Sequence, residues 1–407
     1  MSAGQPAAPT VRRVGVLGAG TMGAGIAQLA ALGGYETRLF DTFPEAAEKG
    51  ATRLGEALAK GAARGRWSET EALAAQARVR PTQELGDLAG CELLIEAAPE
   101  ELELKRRLFG DVAAVVGAEA VLASNTSSLR IGEIAAGVSH PERVVGMHFF
   151  NPPPLMKLVE VVAAEHSSEA ALTATTAVAA AMGRTPIRAL DSPGFVANRL
   201  ARPFSLESLR ILGDGVADAA RIDRVVRLGG GFRMGPFELL DLIGLDVNLT
   251  IARSFFAQGG EPERWRPSPI QERLVEEGRL GRKSGAGYYE YGEGALREPD
   301  PELELDSPTL DHDELVQIDP VANEILPRLF AQIANEAAFA REEGIASPAD
   351  METAMRLGFN WPLGPLAITE LIGPAPAVEL LDGLEAEHGA AYAAAPLLRH
   401  EAEGAHP

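Results

Sequence analysis

The chain has 407 residues, 46% of them apolar, and a formal charge of −21 at pH 7. This length exceeds what one hydrophobic core usually serves, so we expect two or three domains. The acidic balance argues against nucleic acid or an anionic membrane surface as the main partner. No run approaches the roughly 20 apolar residues of a membrane helix, and the first ten residues, which lack the pattern of a signal peptide, are predicted to be a short disordered tail. The single cysteine, Cys91, excludes an intrachain disulfide, and a cytoplasmic protein is therefore predicted.

The first half of the chain alternates between strand-like and helical patterns. VRRVGVLGAG is a short apolar run that leads into glycine, and TMGAGIAQLAALGG then has helical spacing up to a Gly-Gly stop. Strand-like runs recur at YETRLFD, CELLIEAAP, AVLASN and RVVGMHFF, and residues 45–80 look like a helical hairpin between two of them. This alternation predicts an α/β domain of the Rossmann type, with a parallel sheet covered by helices and Cys91 in its core.

After about residue 190 the pattern is mostly helical and contains a repeat. GGFRMGPFELLDLIG ends at Gly244 and GFNWPLGPLAITELIG ends at Gly373, 129 residues later. Both share a Gly-Phe start, a Gly-Pro step and a closing Leu-Ile-Gly, and each follows a predicted helix start, at Asp223 and at Asp350. The spacing predicts two all-α domains related by internal duplication.

These patterns define four predicted segments. Residues 1–190 form the Rossmann-like domain, which contains the cofactor motif described next, and residues 191–291 form the first helical domain. Residues 292–319 are acidic and contain prolines, which favours a solvated linker. Residues 320–407 form the second helical copy, which is expected to be structural.

The sequence GAGTMG supplies a dinucleotide-binding pattern. Gly18, Gly20 and Gly23 stand between a predicted strand and a predicted helix. There the first glycine permits a tight turn, the second lets a pyrophosphate approach, and the third allows close packing of the helix. The intervening Thr21 and Met22 are assigned to the same cofactor site, where the amides at the start of the helix offset the global negative charge.

Asp41 ends the second predicted strand, about 20 residues beyond the glycines. A carboxylate at this position accepts hydrogen bonds from both ribose hydroxyls and repels a 2′-phosphate. The predicted cofactor is therefore NAD, and no metal site is predicted.

A histidine and a carboxylate interrupt the apolar stretch GMHFFNPPPLMKLVEVV. His148 closes a strand, and ligands of open α/β sheets bind beyond strand carboxyl ends. An imidazole suits reversible proton transfer near neutral pH. Glu160, twelve residues later, can return beside His148 if the prolines turn the chain and a second strand runs antiparallel, where it would orient the ring.

Six motifs in fixed order resemble those of the L-3-hydroxyacyl-CoA dehydrogenase family: SNTSSL, GMHFFNP, MKLVEVV, DSPGFVANR, MGPFELLDLIGLD and GRKSGAGYYEY. The resemblance is continuous over residues 12–291 and weaker over the second helical copy. It implies an acyl-CoA thioester substrate, oxidised reversibly by NAD with hydride transfer, and His148 with Glu160 as the acid/base pair.

The same resemblance implies roles for four further residues. Ser127 and Asn198 hydrogen-bond the substrate oxygen near the nicotinamide, and Ser127 also borders the cofactor. Glu100 and Lys105 contact the cofactor. Family members often have Asn after the glutamate that matches Glu100, whereas this chain has Glu101.

Two other functions fit parts of the sequence. GAGTMG also resembles the start of β-hydroxyacid dehydrogenases, so a free hydroxy acid or sugar acid is an alternative substrate. The extra helical domain suggests a non-catalytic NAD-sensing or scaffold protein. Family members with one copy are implied to dimerise through it, so the two copies are expected to pack as an intrachain pseudo-dimer, with residues 237–245 in the contact; a homodimer of the whole chain stays open.

Overall fold

The computed structural model describes residues 11–292 and 309–404. They fold into two compact units, which divide between Phe195 and Val196. The tail predicted at residues 1–10 lies outside the described residues. Within the described ranges, no helix is both long enough and apolar enough to cross a membrane.

The first unit is built on one eight-stranded sheet with the order β3-β2-β1-β4-β5-β6-β7-β8. Six neighbouring strands, β1 to β6, are parallel; β7 runs antiparallel to β6, and β8 is parallel to β7. The strands are β1 (Arg13–Leu17), β2 (Glu36–Phe40), β3 (Val79–Thr82), β4 (Leu93–Glu96), β5 (Val121–Ser124), β6 (Val144–Phe149), β7 (Leu158–Ala163) and β8 (Thr185–Leu190).

Helices connect these strands as the alternating pattern predicts. They are α1 (Thr21–Leu32), α2 (Pro44–Ala63), α3 (Glu69–Arg78), α4 (Leu102–Val115), α5 (Ile131–Ala135) and α6 (Glu169–Ala181). The predicted hairpin over residues 45–80 is confirmed as α2 and α3, which pack against each other. A Ser68–Glu71 capping box starts α3, and such boxes satisfy two backbone amides that the helix leaves free.

Burial on both faces explains the almost continuous apolar strands of this sheet. All four residues of β4 and of β5 are buried, as expected for a parallel sheet covered on two sides. Cys91 is buried as predicted, and burial raises the pKa of its thiol to about 11. Because β1, β2 and β4 to β6 are parallel, the loops that follow them meet at one edge of the sheet, where ligands of such folds bind.

The second unit is helical, and the prediction that strands stop near residue 190 is confirmed for its described residues. Its helices are α7 (Ala197–Leu200), α8 (Arg202–Gly213), α9 (Ala219–Gly230), α10 (Pro236–Ile243), α11 (Leu245–Gln258), α12 (Pro269–Glu276), α13 (His312–Ile318), α14 (Ala322–Glu342), α15 (Pro348–Gly358), α16 (Pro365–Ile372), α17 (Pro374–His388) and α18 (Pro396–Gly404).

Two helix starts lie earlier than predicted. Helix α9 begins after Asp218, whose carboxylate accepts from the Arg221 amide, and α15 begins after Ser347, whose hydroxyl accepts from the Asp350 amide. The predicted starts at Asp223 and Asp350 are therefore wrong, because both residues lie inside helices. The Asp223 side chain instead caps α10 by accepting from two of its backbone amides.

The acidic segment before the second copy is not a solvated linker throughout. Residues 293–308 lie outside the described part of the chain, but residues 312–318 form α13. Leu315 of this helix is 1% exposed and packs near α9 and α14. The sequence did not predict helix α13, because a single buried apolar residue among acidic ones is also typical of a loop.

Helix α14 is the centre of the second unit and packs against α8, α9, α16, α17 and α18. Two buried ion pairs join α14 to the segment that contains α7 and α8. Arg199 Nε lies 2.7 Å from Glu336 Oε1, and Arg328 Nε lies 2.9 Å from Glu207 Oε1. All four side chains are at most 4% exposed, so the contact depends on each charge having its partner.

The expected contact through residues 237–245 is not the one observed. Phe237 is fully buried against Tyr288, whereas Leu242 and Ile243 are about half exposed. The aromatic contact that reaches the α15–α16 segment comes instead from Phe204 and Phe232, which pack on Trp361.

Candidate active site

The glycine turn between β1 and α1 has the geometry of a dinucleotide-binding loop. Gly18 adopts φ +100°, and a Cβ there would lie 2.7 Å from the Ala97 carbonyl oxygen. A Cβ at Gly23 would lie 1.7 Å from the Gly18 carbonyl oxygen, while nothing lies within 4 Å of the corresponding point at Gly20. The first and third glycines are therefore required by the turn and by helix packing, and the second leaves the backbone open to a ligand.

The two residues between these glycines begin helix α1. Thr21 is its first residue and is exposed, and Met22 follows, half-buried. The backbone amides of this first turn have no partners within the helix, which makes them available to a pyrophosphate.

Asp41 follows β2 and lies next to the glycine turn. Its Oδ2 accepts from the Ala19 amide at 2.8 Å, and its Oδ1 accepts from the Phe43 amide at 3.1 Å. Two backbone hydrogen bonds fix the carboxylate, and each oxygen keeps a further lone pair for a ribose hydroxyl.

Lys105 belongs to a buried charge network rather than to the solvent. It is 1% exposed, and its Nζ lies 2.6 Å from Glu96 Oε1 and 3.1 Å from Glu100 Oε2. Glu96 ends β4 and also accepts from the Ser124 hydroxyl at the end of β5. The sequence did not predict a role for Glu96. That residue could have been recognised as a carboxylate at the end of an apolar strand, nine residues before Lys105.

Glu100 holds the loop after β5. Its Oε1 accepts from the Thr126 hydroxyl at 2.6 Å, from the Ser127 amide at 3.0 Å and from the Ser128 hydroxyl at 2.9 Å. Burial alone would raise the pKa of Glu100, but Lys105 and the two hydroxyls lower it below its usual value. The carboxylate is thus kept ionised, and the exposed Ser127 side chain stands on a fixed backbone.

His148 and Glu160 lie directly opposite each other in the antiparallel pair β6–β7, as predicted. The side chains of such a pair share one face of the sheet. His148 Nδ1 is 2.6 Å from Glu160 Oε2, and the two side chains are 7% and 0% exposed. Because an ionised carboxylate only accepts, Nδ1 donates to Glu160 and Nε2 becomes the nitrogen that can exchange a proton with a ligand.

Neighbouring residues restrict the histidine further. The rings of Phe150 and Phe195 lie 4.7 and 5.7 Å from the imidazole, measured between centroids. The Phe149 amide, directly after His148, donates to Asn125 Oδ1 at 2.8 Å. Asn125 therefore ties the loop after β5 to the end of β6, a role that the sequence did not predict because the two residues are far apart along the chain.

Asn198 is the one predicted site residue that belongs to the second unit. It lies half-buried in α7, directly before the buried Arg199. The other predicted residues all lie in the first unit: in the loops after β1, β2, β4 and β5, in helices α1 and α4, and in strands β6 and β7.

The glycine turn, the fixed Asp41 and the strand-edge histidine together define a Rossmann-type dehydrogenase. Comparison with known families agrees. The NAD-binding domain of 3-hydroxyacyl-CoA dehydrogenases matches residues 13–192, and the C-terminal domain of the same enzymes matches residues 194–291 and 325–406. The chain therefore belongs to the 3-hydroxyacyl-CoA dehydrogenase family and is an NAD-dependent oxidoreductase. We call residues 194–291 the first helical segment and residues 325–406 the second helical segment.

Individual relatives match the chain over different lengths. A 3-hydroxyadipyl-CoA dehydrogenase of Escherichia coli K12 is 35% identical, over 96% of this chain and 98% of the relative. A probable 3-hydroxybutyryl-CoA dehydrogenase of Bacillus subtilis is 42% identical, over 70% of this chain and 98% of the relative. The crystal structure of a 3-hydroxybutyryl-CoA dehydrogenase from E. coli K12 superposes with a TM-score of 0.87 at 34% identity, covering 97% of this chain and 99% of that one.

Proposed function

We propose that the protein oxidises L-3-hydroxyacyl-CoA thioesters to 3-ketoacyl-CoA with NAD, reversibly, and that His148 is the acid/base. The observation that carries this proposal is the 2.6 Å bond between His148 Nδ1 and Glu160, at the sheet edge that also presents the glycine turn. The names of the E. coli and B. subtilis relatives described above both give a 3-hydroxyacyl-CoA thioester as the substrate. We also propose a cytoplasmic location.

Each residue of the site has a separate role in the proposed reaction. NAD, held by the glycine turn and Asp41, would supply the acceptor for the hydride as the C3–H bond of the substrate breaks. As that bond breaks, His148 Nε2 takes the proton of the 3-hydroxyl group, and C3 becomes a ketone. Glu160 stabilises the imidazolium and fixes the orientation of the ring, since its oxygen holds Nδ1. In the reverse direction the imidazolium returns the proton to the oxygen on C3.

Ser127 and Asn198 are proposed to hydrogen-bond the reacting oxygen and so to orient C3. The support for Ser127 is its exposed side chain on a loop that Glu100 anchors through the amide. Glu100 is 36% exposed, so it is the member of the network that reaches the cofactor. Lys105, at 1% exposure, positions Glu100 instead of reaching the cofactor directly.

Asp41 is proposed to select NAD by binding the ribose diol. The Asp41→Ala variant should bind NAD more weakly and should discriminate less against NADP, because the negative charge that repels a 2′-phosphate is gone. Steady-state kinetics with both cofactors measure this. A wild-type preference for NADP would contradict the assignment.

Oxidation of NADH with acetoacetyl-CoA tests the proposed reaction. We expect turnover with the thioester and very little with free acetoacetate. A dehydrogenase of free hydroxy acids or sugar acids would show the opposite preference, and an NAD-sensing protein would bind the cofactor without turnover of either compound.

We further propose that the two helical segments are duplicated domains packed as an intrachain pseudo-dimer. Arg199 and Arg328 are 129 residues apart, and so are their partners Glu207 and Glu336. Each arginine contacts the glutamate of the other segment. In a two-fold interface, every contact between two residues is repeated between their copies with the two sides exchanged. The two ion pairs follow this rule.

Further contacts repeat the same reciprocity. Arg199 also pairs with Glu343 and Arg328 with Asp214, at 2.6 and 2.8 Å, and these acids are again 129 residues apart. The Trp265 indole of the first segment donates to Glu336, and the Tyr392 hydroxyl of the second, 127 residues after Trp265, donates to Glu207. The pseudo-dimer proposal thus rests on paired contacts as well as on the repeated sequence, and it keeps the second segment structural.

A further inference from the structure

Arg202 is a buried cation with no carboxylate partner in the described part of the chain. It is the first residue of α8 and is only 7% exposed. Among the described residues, its Nε and Nη1 have no hydrogen-bond acceptor. Its guanidinium carbon lies 5.2 Å from the centre of the Phe255 ring, and burial lowers the pKa of Arg202 to about 10. A buried charge with no counter-ion is costly to the fold.

Other buried arginines of the second unit differ from Arg202 in this respect. Arg199, Arg227 and Arg328 are each at most 7% exposed, and each lies within 3 Å of a glutamate oxygen. In this unit, these buried arginines that contribute to packing are therefore each paired with a carboxylate. Arg202 has the burial of these residues but not the partner, which indicates that its acceptor comes from a ligand.

The second helical segment provides an internal comparison. Arg328 occupies the position of the interface residue Arg199, 129 residues later, and it keeps the interface role. At the same spacing, Pro327 stands at the position of Asn198 and Ala331 at the position of Arg202. The segment without a proposed substrate site thus lacks both Asn198 and Arg202, as expected if the two serve the same ligand.

The helix geometry places Arg202 near the proposed substrate asparagine. Helix α7 contains Asn198, α8 begins at Arg202, and the intervening Ala201 has helical dihedral angles, with its amide bonded to the Ala197 carbonyl. Residues four apart on a helix lie on one face, separated by about 6 Å along the axis. A group that Asn198 binds therefore has the Arg202 guanidinium one turn away.

We propose that Arg202 binds the terminal carboxylate of a dicarboxylic 3-hydroxyacyl-CoA, while Asn198 binds the oxygen on C3. This inference rests on the proposed function and specifies its substrate class. A guanidinium presents donors in a planar fork that matches a carboxylate, and such charge-assisted bonds are strongest where water is excluded. The substrate in the name of the E. coli relative carries such a carboxylate.

The test compares two substrates of equal length, 3-hydroxyadipyl-CoA and 3-hydroxyhexanoyl-CoA, which differ only in the terminal carboxylate. For the wild-type chain we expect kcat/KM to be at least about 10²-fold higher for the adipyl substrate, the size that a buried charged hydrogen bond gives. In Arg202→Met this ratio should fall by at least about 30-fold. Arg202→Lys keeps the charge but not the fork, so its ratio should lie between the two.

Arg253→Met is the matched control, since it removes an arginine of α11 that is 58% exposed and pairs with Glu272. Its ratio should equal that of the wild type. Equal losses for both substrates in Arg202→Met would overturn the proposal, because a structural residue or one that binds a CoA phosphate would affect both. If Arg202→Met does not fold, the wild-type ratio and Arg202→Lys decide the matter.

The wild-type measurement also separates this inference from the proposed function. Turnover of both substrates without preference for the dicarboxylic one overturns the role of Arg202 and leaves the dehydrogenase assignment intact. Absence of turnover with both thioesters overturns the proposed function itself.

Discussion

The two helical segments share a framework and differ at the residues proposed to bind substrate. Asp218 and Ser347 start equivalent helices, and a carboxylate caps the next helix in both segments, Asp223 in the first and Glu352 in the second. All four of these positions obey the 129-residue spacing. Helix capping and the ion-paired contact are therefore common to both segments.

The first segment contains features that the second does not. It has Asn198 and Arg202, and Asp241 accepts from the Tyr288 and Tyr289 amides of the chain that follows α12. The position 129 residues after Asp241 holds Glu370, which is exposed. Residues shared by both segments therefore maintain the fold, as does Asp241 within the first, whereas Asn198 and Arg202 are the candidates for substrate binding.

The largest expected effect is that of His148→Ala. This variant tests whether all of the activity depends on His148 or whether the second helical segment contributes catalysis of its own. Loss of the general base should lower kcat by at least about 10²-fold while NADH binding persists. Steady-state rates with acetoacetyl-CoA and fluorescence titration of NADH measure the two properties. Near-normal turnover would contradict the role of His148 and the division of labour between the segments.

Removal of the second segment should have the next largest effect. Termination near Pro301 exposes the faces of α8 and α9 that α14 covers and the rings of Phe204 and Phe232 that pack on Trp361. It also removes Arg328 from Glu207. Exposed apolar faces of this kind drive association. We expect self-association or aggregation, measured by light scattering after size-exclusion chromatography.

A truncated chain that remains monomeric, stable and fully active would contradict the pseudo-dimer. A homodimer of the intact chain would not decide the matter, since it could form through other surfaces.

Arg328→Met breaks one of the two reciprocal ion pairs without altering the proposed site. Glu207 would keep its contact with Arg210 at 3.3 Å but lose Arg328, and Asp214 would lose the same partner. The free energy of unfolding should therefore fall by about 2–3 kcal/mol, as for the loss of charged hydrogen bonds. Urea denaturation measures the loss, and KM should stay close to the wild-type value. The Arg328→Met, Glu207→Leu double variant should recover part of the stability, since the fully buried carboxylate is removed together with Arg328. An unchanged denaturation midpoint in the single variant would show that the pair does not hold the segments together.

The smallest effects should distinguish two asparagines. Asn335 is 1% exposed, donates to the Ala393 carbonyl and accepts from the Ala395 amide. Asn335→Ala should therefore cost about 1–3 kcal/mol of stability with little change in kcat/KM. Asn198→Ala should instead lower kcat/KM with a smaller loss of stability, because Asn198 is half-buried. Thermal denaturation and steady-state kinetics of both variants test this prediction. The reverse pattern would contradict the assignment of substrate binding to the first segment.

Local sequence was sufficient wherever one short stretch holds all the determinants. The glycine turn was predicted because Gly18 and Gly23 answer steric demands within a single strand–turn–helix unit. The pairing of His148 with Glu160 was predicted because a short turn between adjacent antiparallel strands brings the two residues together. The repeat near Gly244 and Gly373 was likewise visible from spacing alone.

Tertiary structure decided the contacts that join distant parts of the chain. Which strand ends and helix faces meet determines the partners of Lys105 and the hydrogen bond from Phe149 to Asn125. It also determines the reciprocal ion pairs of Arg199 with Glu336 and of Arg328 with Glu207. A polar residue in sequence has many possible partners, and only packing selects one. For the same reason the sequence could not distinguish Arg202, which has no carboxylate beside it in the described part of the chain, from the paired arginines. Whether a buried side chain has a partner is a property of the folded unit and not of the residue.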